Sequence, residues 1–182
     1  DANRLVPVYH EMCGMTWGIV GLGNIGRKVA AVAAALGCRV IANKRTPVPD
    51  FECVDIDELC RRADIISVHT PLTEGTRGLI SAERIAMMKK NAIVINVARG
   101  AVCDEAALCA AVADGRIGAI GVDVYSKEPF DADSPYTAVA GLPNVLLTPH
   151  MAWGSLEARN RCIAEIAENI KSYAGGGSRS RI

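Results

Sequence analysis

Three reactive side chains follow apolar segments of this chain: Arg99, Glu128 and His150. A guanidinium can bind a carboxylate in bidentate fashion and polarise a neighbouring carbonyl. An imidazole can donate a proton to an oxygen that gains negative charge, and a nearby carboxylate keeps that imidazole protonated near neutral pH. Together these residue types predict acid–base chemistry on a small acid that carries a carbonyl, such as a 2-oxo acid.

Each of the three residues also has a simpler explanation. Arg99 could form a surface salt bridge, Glu128 could be a solvated loop acid, and His150 could be hydrogen-bonded at a strand end. Their shared position favours the functional interpretation, because each lies just beyond a predicted buried strand. Ligands of parallel α/β sheets bind beyond the carboxyl ends of the strands, so we expect all three at that edge.

The segment Trp17–Gly26 predicts a strand, a glycine turn and the start of a helix. Gly21 would allow the tight turn, Gly23 the close approach of backbone amides to a pyrophosphate, and Gly26 the packing of the helix against the sheet. The helix N-terminus would present its dipole and N–H groups to the phosphates. We therefore predict a dinucleotide site at this turn. Helical spacing continues at Ile25, Val29, Val32 and Leu36, and Gly37 can end the helix.

The residues after the second predicted strand bear on which dinucleotide is bound. An NAD-binding domain of this type has an acidic side chain there, which accepts hydrogen bonds from the ribose 2′-hydroxyl and repels a 2′-phosphate. This chain has Lys44, Arg45 and Thr46 instead. Two cations and a hydroxyl suit a phosphate, so we predict NADP as the cofactor. NAD is the alternative if the turn is only a solvated basic surface.

Six apolar, β-branched segments alternate with helical patterns along the chain. Strands that are apolar on both faces belong in a buried parallel sheet, and their alternation with helices indicates right-handed crossovers. We therefore predict an α/β fold with a Rossmann-type, doubly wound parallel sheet in the order 3-2-1-4-5-6. The predicted strands are Trp17–Val20, Val40–Ala42, Ile65–Val68, Ile93–Val97, Ala119–Val124 and Val145–Leu147.

Cap residues and glycines divide the rest of the chain. Ser81, Asp104 and Ser155 are predicted N-caps of helices, the last of which ends at Gly175–Gly177. The long segment Tyr125–Asn144 is expected to be functional or mobile. Residues 1–174 are predicted to form a dinucleotide-binding domain that includes the last helix. Residues 175–182 form a tail that needs a partner surface or is disordered.

The composition narrows the class of protein. The chain has 182 residues, half of them apolar, and a formal net charge of zero, which argues against nucleic-acid or membrane-surface partners. Residues 1–10 lack the features of a signal peptide and no segment could span a bilayer, so we expect a soluble, cytoplasmic protein. The seven cysteines are odd in number and form no C-x-x-C pair, which favours buried thiols over disulfides or a metal site.

Four separated motifs occur in an order that resembles the D-isomer-specific 2-hydroxyacid dehydrogenase family: Gly21–Gly26, Asn96–Gly100, Asp123–Pro129 and Thr148–His150. The resemblance covers nearly the whole chain and implies the cofactor-binding domain of an oxidoreductase. Such an enzyme transfers hydride between NAD(P)H and a small 2-oxo or 2-hydroxy acid. The resemblance implies that Arg99 binds and polarises the substrate, that His150 is the acid–base group and that Glu128 orients it.

The same resemblance implies further cofactor contacts. It places Asp123 near the nicotinamide, and Lys44 at the position of the family's acidic residue. It places His69, Thr70 and Pro71 along the cleft. The remaining predicted contacts are Asn24, Ile25, Val97, Ala98 and Ala152.

The segment His150–Trp153 is similar to the glycerate dehydrogenase, or hydroxypyruvate reductase, branch of the family, where a tryptophan closely follows the histidine. This favours hydroxypyruvate or glyoxylate as substrate, while the alternative for Trp153 is a core aromatic beneath the last helix. Family members begin with a substrate domain, which is expected to be largely absent here. An arm that helps many members dimerise is also largely missing, which leaves a homodimer open.

A non-enzymatic function stays open as well. Some proteins that resemble this family serve as dinucleotide-responsive interaction modules of the corepressor type, and a shared fold does not decide between the two. Another Rossmann enzyme, such as an amino-acid dehydrogenase, is disfavoured because no lysine stands at the positions of Arg99 or His150.

Overall fold

The computed structural model describes residues 9–180, and the chain divides into two compact units, one ending at Thr148 and the other beginning at Pro149. The predictions for residues 1–8 and 181–182 lie outside the described residues. The strands are β1 (Thr16–Val20), β2 (Arg39–Asn43), β3 (Glu52–Cys53), β4 (Ile65–Val68), β5 (Ile93–Asn96), β6 (Ala119–Val122) and β7 (Val145–Leu147). The helices are α1 (Asn24–Ala35), α2 (Ile56–Arg62), α3 (Ala82–Met87), α4 (Glu105–Ala113) and α5 (Leu156–Ala174).

The strands of the first unit form one parallel sheet in the order β3-β2-β1-β4-β5-β6-β7. The predicted doubly wound order 3-2-1-4-5-6 is confirmed and extends to seven strands. The strand that the prediction missed is β3, because Glu52 and Cys53 form no apolar run. The predicted third strand is therefore β4 in the structure, and it pairs with β1. Asp123, predicted inside the fifth strand, lies just beyond β6.

The core is built around β4, whose four residues are all buried. On one face, side chains such as Ile66, Leu59 and Leu108 belong to a large cluster that spans the sheet and helices α2, α3 and α4. A smaller cluster around Ile19 and Ala30 joins α1 to β1 and β2. The two clusters cover both faces of β1 and β2, so the turns that follow these strands begin from well-packed strand ends.

Helix α1 contacts the sheet through its smallest residues. Its buried positions are Gly26, Ala30 and Ala33, whereas Ile25, Val32 and Leu36 are exposed. A Cβ atom at Gly26 would lie 2.2 Å from the Gly21 carbonyl oxygen. The spacing of the large apolar residues correctly predicts a helix, but of these residues Val29 packs against the cluster, and the fully buried positions are small because the helix lies so close to the sheet.

The predicted N-caps are confirmed. Ser81, Asp104 and Ser155 each accept a hydrogen bond from the backbone N–H three residues later. In the second unit, α5 has no buried residue, and its predicted apolar positions, such as Ile163 and Ile170, are exposed.

The predicted tail folds back onto α5 as far as it is described. The Arg179 guanidinium donates to Asn169 Oδ1 at 3.1 Å and to Glu165 Oε2 at 2.5 Å. Its backbone N–H donates to Ser172 Oγ at 3.2 Å.

Burial explains most of the cysteines. Cys38, Cys60, Cys103 and Cys109 are buried free thiols, as the sequence predicts, whereas Cys13 and Cys162 are exposed. Burial raises the pKa of the Cys60 thiol to about 11. Within residues 9–180, no helix is both long and apolar enough to cross a bilayer, and no three His, Cys, Asp or Glu side chains are grouped as metal ligands.

Candidate functional site

The glycine turn lies between the carboxyl ends of three strands. The Gly21 N–H donates to the carbonyl of Asn43 at the end of β2, and the His69 N–H donates to the carbonyl of Val20 at the end of β1. Gly21 has a φ of +96°, and a Cβ atom there would lie 2.8 Å from the backbone of His69 and Thr70. The turn therefore needs glycine at this position both for its conformation and for its packing.

The N-terminus of α1 differs from those of the other helices. Its N-cap is Gly23, which has no side chain to accept from the first-turn amides, and its first turn has no acidic residue. Helices α2 to α5 each have an Asp or Ser cap that accepts from a backbone N–H, and each has an acid in the first turn. A Cβ atom at Gly23 would meet nothing within 4 Å. The end of α1 thus offers open space and uncompensated positive potential, which fits the pyrophosphate of a dinucleotide.

The predicted ribose-binding residues follow β2 directly. Lys44 is half-buried, and Arg45 and Thr46 are exposed. The acid nearest to them in the same connection is Asp50, which lies 4.0 Å from the Arg27 guanidinium of α1. Since Asp50 faces another cation, the segment that follows β2 stays basic.

Asn96 builds the turn that carries Arg99. Asn96 is fully buried at the end of β5, and its amide donates to the Arg99 carbonyl at 3.0 Å while its Oδ1 accepts from the Ala98 N–H at 3.1 Å. Both polar ends of one side chain therefore shape the turn. Val97 is half-buried, Ala98 is buried and the Arg99 side chain is exposed, so the guanidinium can reach a ligand.

The turn that carries Glu128 packs directly against the Arg99 turn. Glu128 is exposed, and its Oε1 accepts from the Tyr125 N–H at 2.9 Å. A Cβ atom at Gly100 would lie 2.1 Å from the Tyr125 carbonyl carbon and 2.2 Å from the Ser126 nitrogen. The two turns touch through their backbones, which places Arg99 and Glu128 on neighbouring loops of one unit.

Asp123 is buried at the end of β6 and is hydrogen-bonded there. Its Oδ1 accepts from the Thr148 hydroxyl at 2.5 Å, and its N–H donates to the Asn96 carbonyl at 3.0 Å. Thr148 ends the first unit and also accepts, through its carbonyl, from the Tyr125 hydroxyl at 2.9 Å. These contacts tie the end of β6 to the residue that follows β7.

His150 and Ala152 belong to the second unit, so their place at the site stays a prediction. His150 has a positive φ of 52°, which is uncommon outside glycine. Its carbonyl accepts from the Trp153 indole at 3.1 Å. Trp153 is 58% exposed, so the alternative of a core aromatic is wrong in the described chain.

His69 ends a partly buried chain of hydrogen-bonded side chains at the glycine turn. The Trp17 indole donates to Ser67 Oγ at 2.9 Å, and Ser67 Oγ lies 3.0 Å from His69 Nε2. His69 Nδ1 is buried and has no hydrogen-bond partner within the described part of the chain. Burial lowers the pKa of the imidazole and so favours its neutral form. Thr70 is half-buried and Pro71 exposed beyond it.

Two residues of the site, Asn96 and Glu105, were not predicted to have a separate role. A polar residue that ends an apolar run could have drawn attention to Asn96, because such a residue must satisfy its amide in the core. Glu105 has no comparable signal, since an acid in the first turn of a helix is ordinary.

A family model described as "D-isomer specific 2-hydroxyacid dehydrogenase, NAD binding domain" matches residues 2–152. Glycerate dehydrogenase from Methylorubrum extorquens is 40% identical over 170 residues, which cover 93% of this chain and 53% of that protein. Hydroxypyruvate reductase from Thermotoga maritima is 42% identical over 168 residues, covering 91% and 55%. The chain thus spans about half the length of the curated relatives it matches.

Solved structures agree in fold. The structure of D-lactate dehydrogenase with NAD+ from Lactobacillus jensenii matches this chain with a TM-score of 0.88 and 32% sequence identity. The match covers 96% of this chain and 57% of that one. An acyclic imino acid reductase in complex with NADPH and D-Arg has a TM-score of 0.85 and 36% identity over 96% and 56%. These relatives are oxidoreductases, so nothing in them supports the interaction-module alternative.

Proposed function

Because the chain belongs to the D-isomer-specific 2-hydroxyacid dehydrogenase family, with a nicotinamide dinucleotide as cofactor, we propose that it carries the cofactor site and the acid–base residues of a 2-oxo acid reductase. The observation that carries the proposal is the uncapped, acid-free start of α1 at the same sheet edge as the Arg99 turn. In the reduction, hydride from NAD(P)H would reach the carbonyl carbon while a proton reaches the carbonyl oxygen. The products are a 2-hydroxy acid and the oxidised dinucleotide.

Each proposed reactive residue has one task. Arg99 would bind the substrate carboxylate and polarise its carbonyl, as a guanidinium does in bidentate contact. His150 would donate the proton, and Glu128 would favour its imidazolium form. Asp123 and the His69–Pro71 segment would line the cofactor cleft. These roles come from the motifs of the family and from the loop positions described above.

The proposed substrates are hydroxypyruvate and glyoxylate. Both are small 2-oxo acids, and the names of the two relatives from Methylorubrum and Thermotoga support the first of them. Trp153, close after His150 and largely exposed, is available to contact a substrate.

We further propose a cytoplasmic protein. A homodimer is supported by the exposed apolar side chains of α1 and is tested by sedimentation of the chain and a Val32→Glu variant.

The proposed dinucleotide is NADPH rather than NADH. Lys44, Arg45 and Thr46 provide two cations and a hydroxyl where an NAD-binding domain has an acid, and Asp50 faces Arg27 instead of this segment. A charge-assisted hydrogen bond contributes about 1.5–3 kcal/mol, so the loss of one should cost about 10- to 150-fold in affinity.

Calorimetric titration of NADPH and NADH into the parent, Lys44→Asp and Arg45→Ala tests the preference. We expect the parent to favour NADPH, Lys44→Asp to reverse the preference, and added salt to weaken it because the segment is exposed. Lys90→Asp, at an exposed lysine before β5, is the matched control and should bind like the parent. Equal affinities in the parent, unchanged in both variants, would return the assignment to NAD.

A further inference from the structure

We propose that Glu105 is a positioning residue that holds the Arg99 turn and the Glu128 turn in fixed register with each other. The inference rests on the proposed function, in which Arg99 and Glu128 belong to the active site. Glu105 is the first residue of α4, directly after the N-cap Asp104. It touches no reacting group, and its proposed task is geometric.

One carboxylate oxygen of Glu105 binds the Glu128 turn and lies beside the Arg99 turn. Oε1 accepts a hydrogen bond from the Ser126 N–H at 2.8 Å. The same oxygen lies 2.7 Å from the position that a Cβ atom on Gly100 would occupy. Because α4 follows the Arg99 turn and Ser126 belongs to the Glu128 turn, this contact joins two loops that are far apart in sequence.

Two carboxylates bind two consecutive amides of the Glu128 turn. The Tyr125 N–H donates to Glu128, and the Ser126 N–H donates to Glu105. The Glu128 contact is local and fixes only the shape of its own turn. The Glu105 contact is the long-range one, and it sets where that turn lies relative to Gly100 and hence to Arg99.

The contact is also close to the limit of packing. The Gly100 backbone meets the Tyr125–Ser126 peptide so closely that a side chain at position 100 has no room. A hydrogen bond that draws Ser126 toward α4 keeps this approach in place. Without it, the two backbones can separate, and a displacement on the order of 1 Å between reacting groups can cost about 100-fold in rate.

If Glu105 acted only locally, on the dipole of its own helix, its charge would matter and the length of its side chain would not. Acids in the first turn stabilise helices through the dipole, and Glu83 of α3 is an exposed example. Glu105→Asp keeps the charge and the helix-dipole interaction but shortens the side chain by one methylene. Glu105→Gln keeps the length and an acceptor oxygen. The two variants therefore separate charge from reach.

The experiment uses a chimera that joins this chain to the half of the Methylorubrum glycerate dehydrogenase that it does not match. We expect Glu105→Asp and Glu105→Ala to lower kcat for hydroxypyruvate about 10- to 100-fold, and to move the pH profile of kcat/KM in the same direction as Glu128→Gln. Glu105→Gln should stay within about 3-fold of the parent, because its amide oxygen still accepts from Ser126. Glu83→Ala is the control and should keep the parental rate and profile.

Hydrogen exchange of the chain alone gives a second readout. The Ser126 amide should exchange faster in Glu105→Asp than in the parent or Glu105→Gln. Parental kcat and pH profile in a folded Glu105→Asp protein would overturn the inference and leave the proposed function intact. A parent chimera that binds NADPH but reduces neither hydroxypyruvate nor glyoxylate would overturn both.

Discussion

Two regions at the carboxyl edge of the sheet are built in opposite ways. The glycine turn around Gly21, Gly23 and Gly26 depends on missing side chains, because each added Cβ atom would meet backbone or would fill open space at the end of α1. The Arg99 and Glu128 turns depend on side chains that are present. Asn96, Glu105 and Glu128 bind backbone groups there and so fix the loops.

This difference separates binding from chemistry. A phosphate-binding turn needs backbone amides and room, whereas an acid–base site needs charged groups held in place. Substitutions that add atoms near Gly23 should therefore change dinucleotide affinity. Substitutions that remove atoms around Arg99 and Glu128 should change the rate of the reaction.

The largest effect is expected for His150→Ala in the chimera with the glycerate dehydrogenase half. Loss of a positioned acid should lower kcat about 100- to 10,000-fold while NADPH affinity changes less than about 3-fold. His10→Ala, at an exposed histidine, is the matched control. A parallel loss of affinity would show that His150 supports the fold rather than the chemistry.

Gly26→Ala should disturb the packing of α1 against the glycine turn. The new Cβ atom would lie 2.2 Å from the Gly21 carbonyl oxygen, so α1 must move away from the sheet. We expect the free energy of unfolding to fall by about 3 kcal/mol and NADPH affinity to fall with it. Gly23→Ala, in open space, should change the unfolding free energy by less than about 1 kcal/mol. Urea denaturation of both variants checks this, and equal stabilities would contradict the packing described for α1.

Asn96→Ala should loosen the turn that carries Arg99, because the Asn96 side chain holds that turn. It removes the acceptor of the Ala98 N–H and the donor to the Arg99 carbonyl, and the buried N–H then has no partner from this side chain. We expect a loss of about 2 kcal/mol in unfolding free energy. In the chimera, kcat should fall further than NADPH affinity. An equal fall in kcat and in NADPH affinity would contradict the separation of the two regions into one that binds and one that reacts.

The smallest effect concerns pH. Burial lowers the pKa of His69 in the folded state below its ordinary value of 6.5. The unfolded chain therefore binds a proton more readily, and the stability that neutral His69 contributes above pH 6.5 is lost as pH falls through the folded pKa. His69→Gln should flatten the dependence of unfolding free energy on pH below about 6.5. A curve parallel to that of the parent would show that His69 does not titrate with unfolding.

Most of the fold could be predicted because its signals are local. Apolar runs indicate the strands, Ser81, Asp104 and Ser155 cap helices as their types predict, and the glycine turn implies the sheet order. The strand β3 was missed because a two-residue edge strand has no periodicity to detect. Which face of α1 meets the sheet was also not evident, since the fully buried residues there are Gly26, Ala30 and Ala33 rather than the large apolar ones.

The site could be predicted only in part, for a physical reason. The proposed chemistry of motif residues such as Arg99 and Glu128 follows from their residue types, so the sequence alone could indicate it. The role of a supporting residue such as Glu105 depends on the backbone group that it contacts. Here that group is the Ser126 N–H, 21 positions away in sequence. Residue type and spacing do not encode such a contact, so it becomes evident only when the loops are placed in three dimensions.

We propose that the glycine turn binds the dinucleotide through its backbone and the open end of α1. The most direct test is a calorimetric titration of NADPH into the parent chain and into Gly23→Ala. We expect the parent to bind one NADPH per chain, with a dissociation constant below about 1 mM. Affinity should fall at least about 10-fold in a Gly23→Ala protein that unfolds like the parent. Absence of binding to the parent, or equal affinity in the variant, would contradict it.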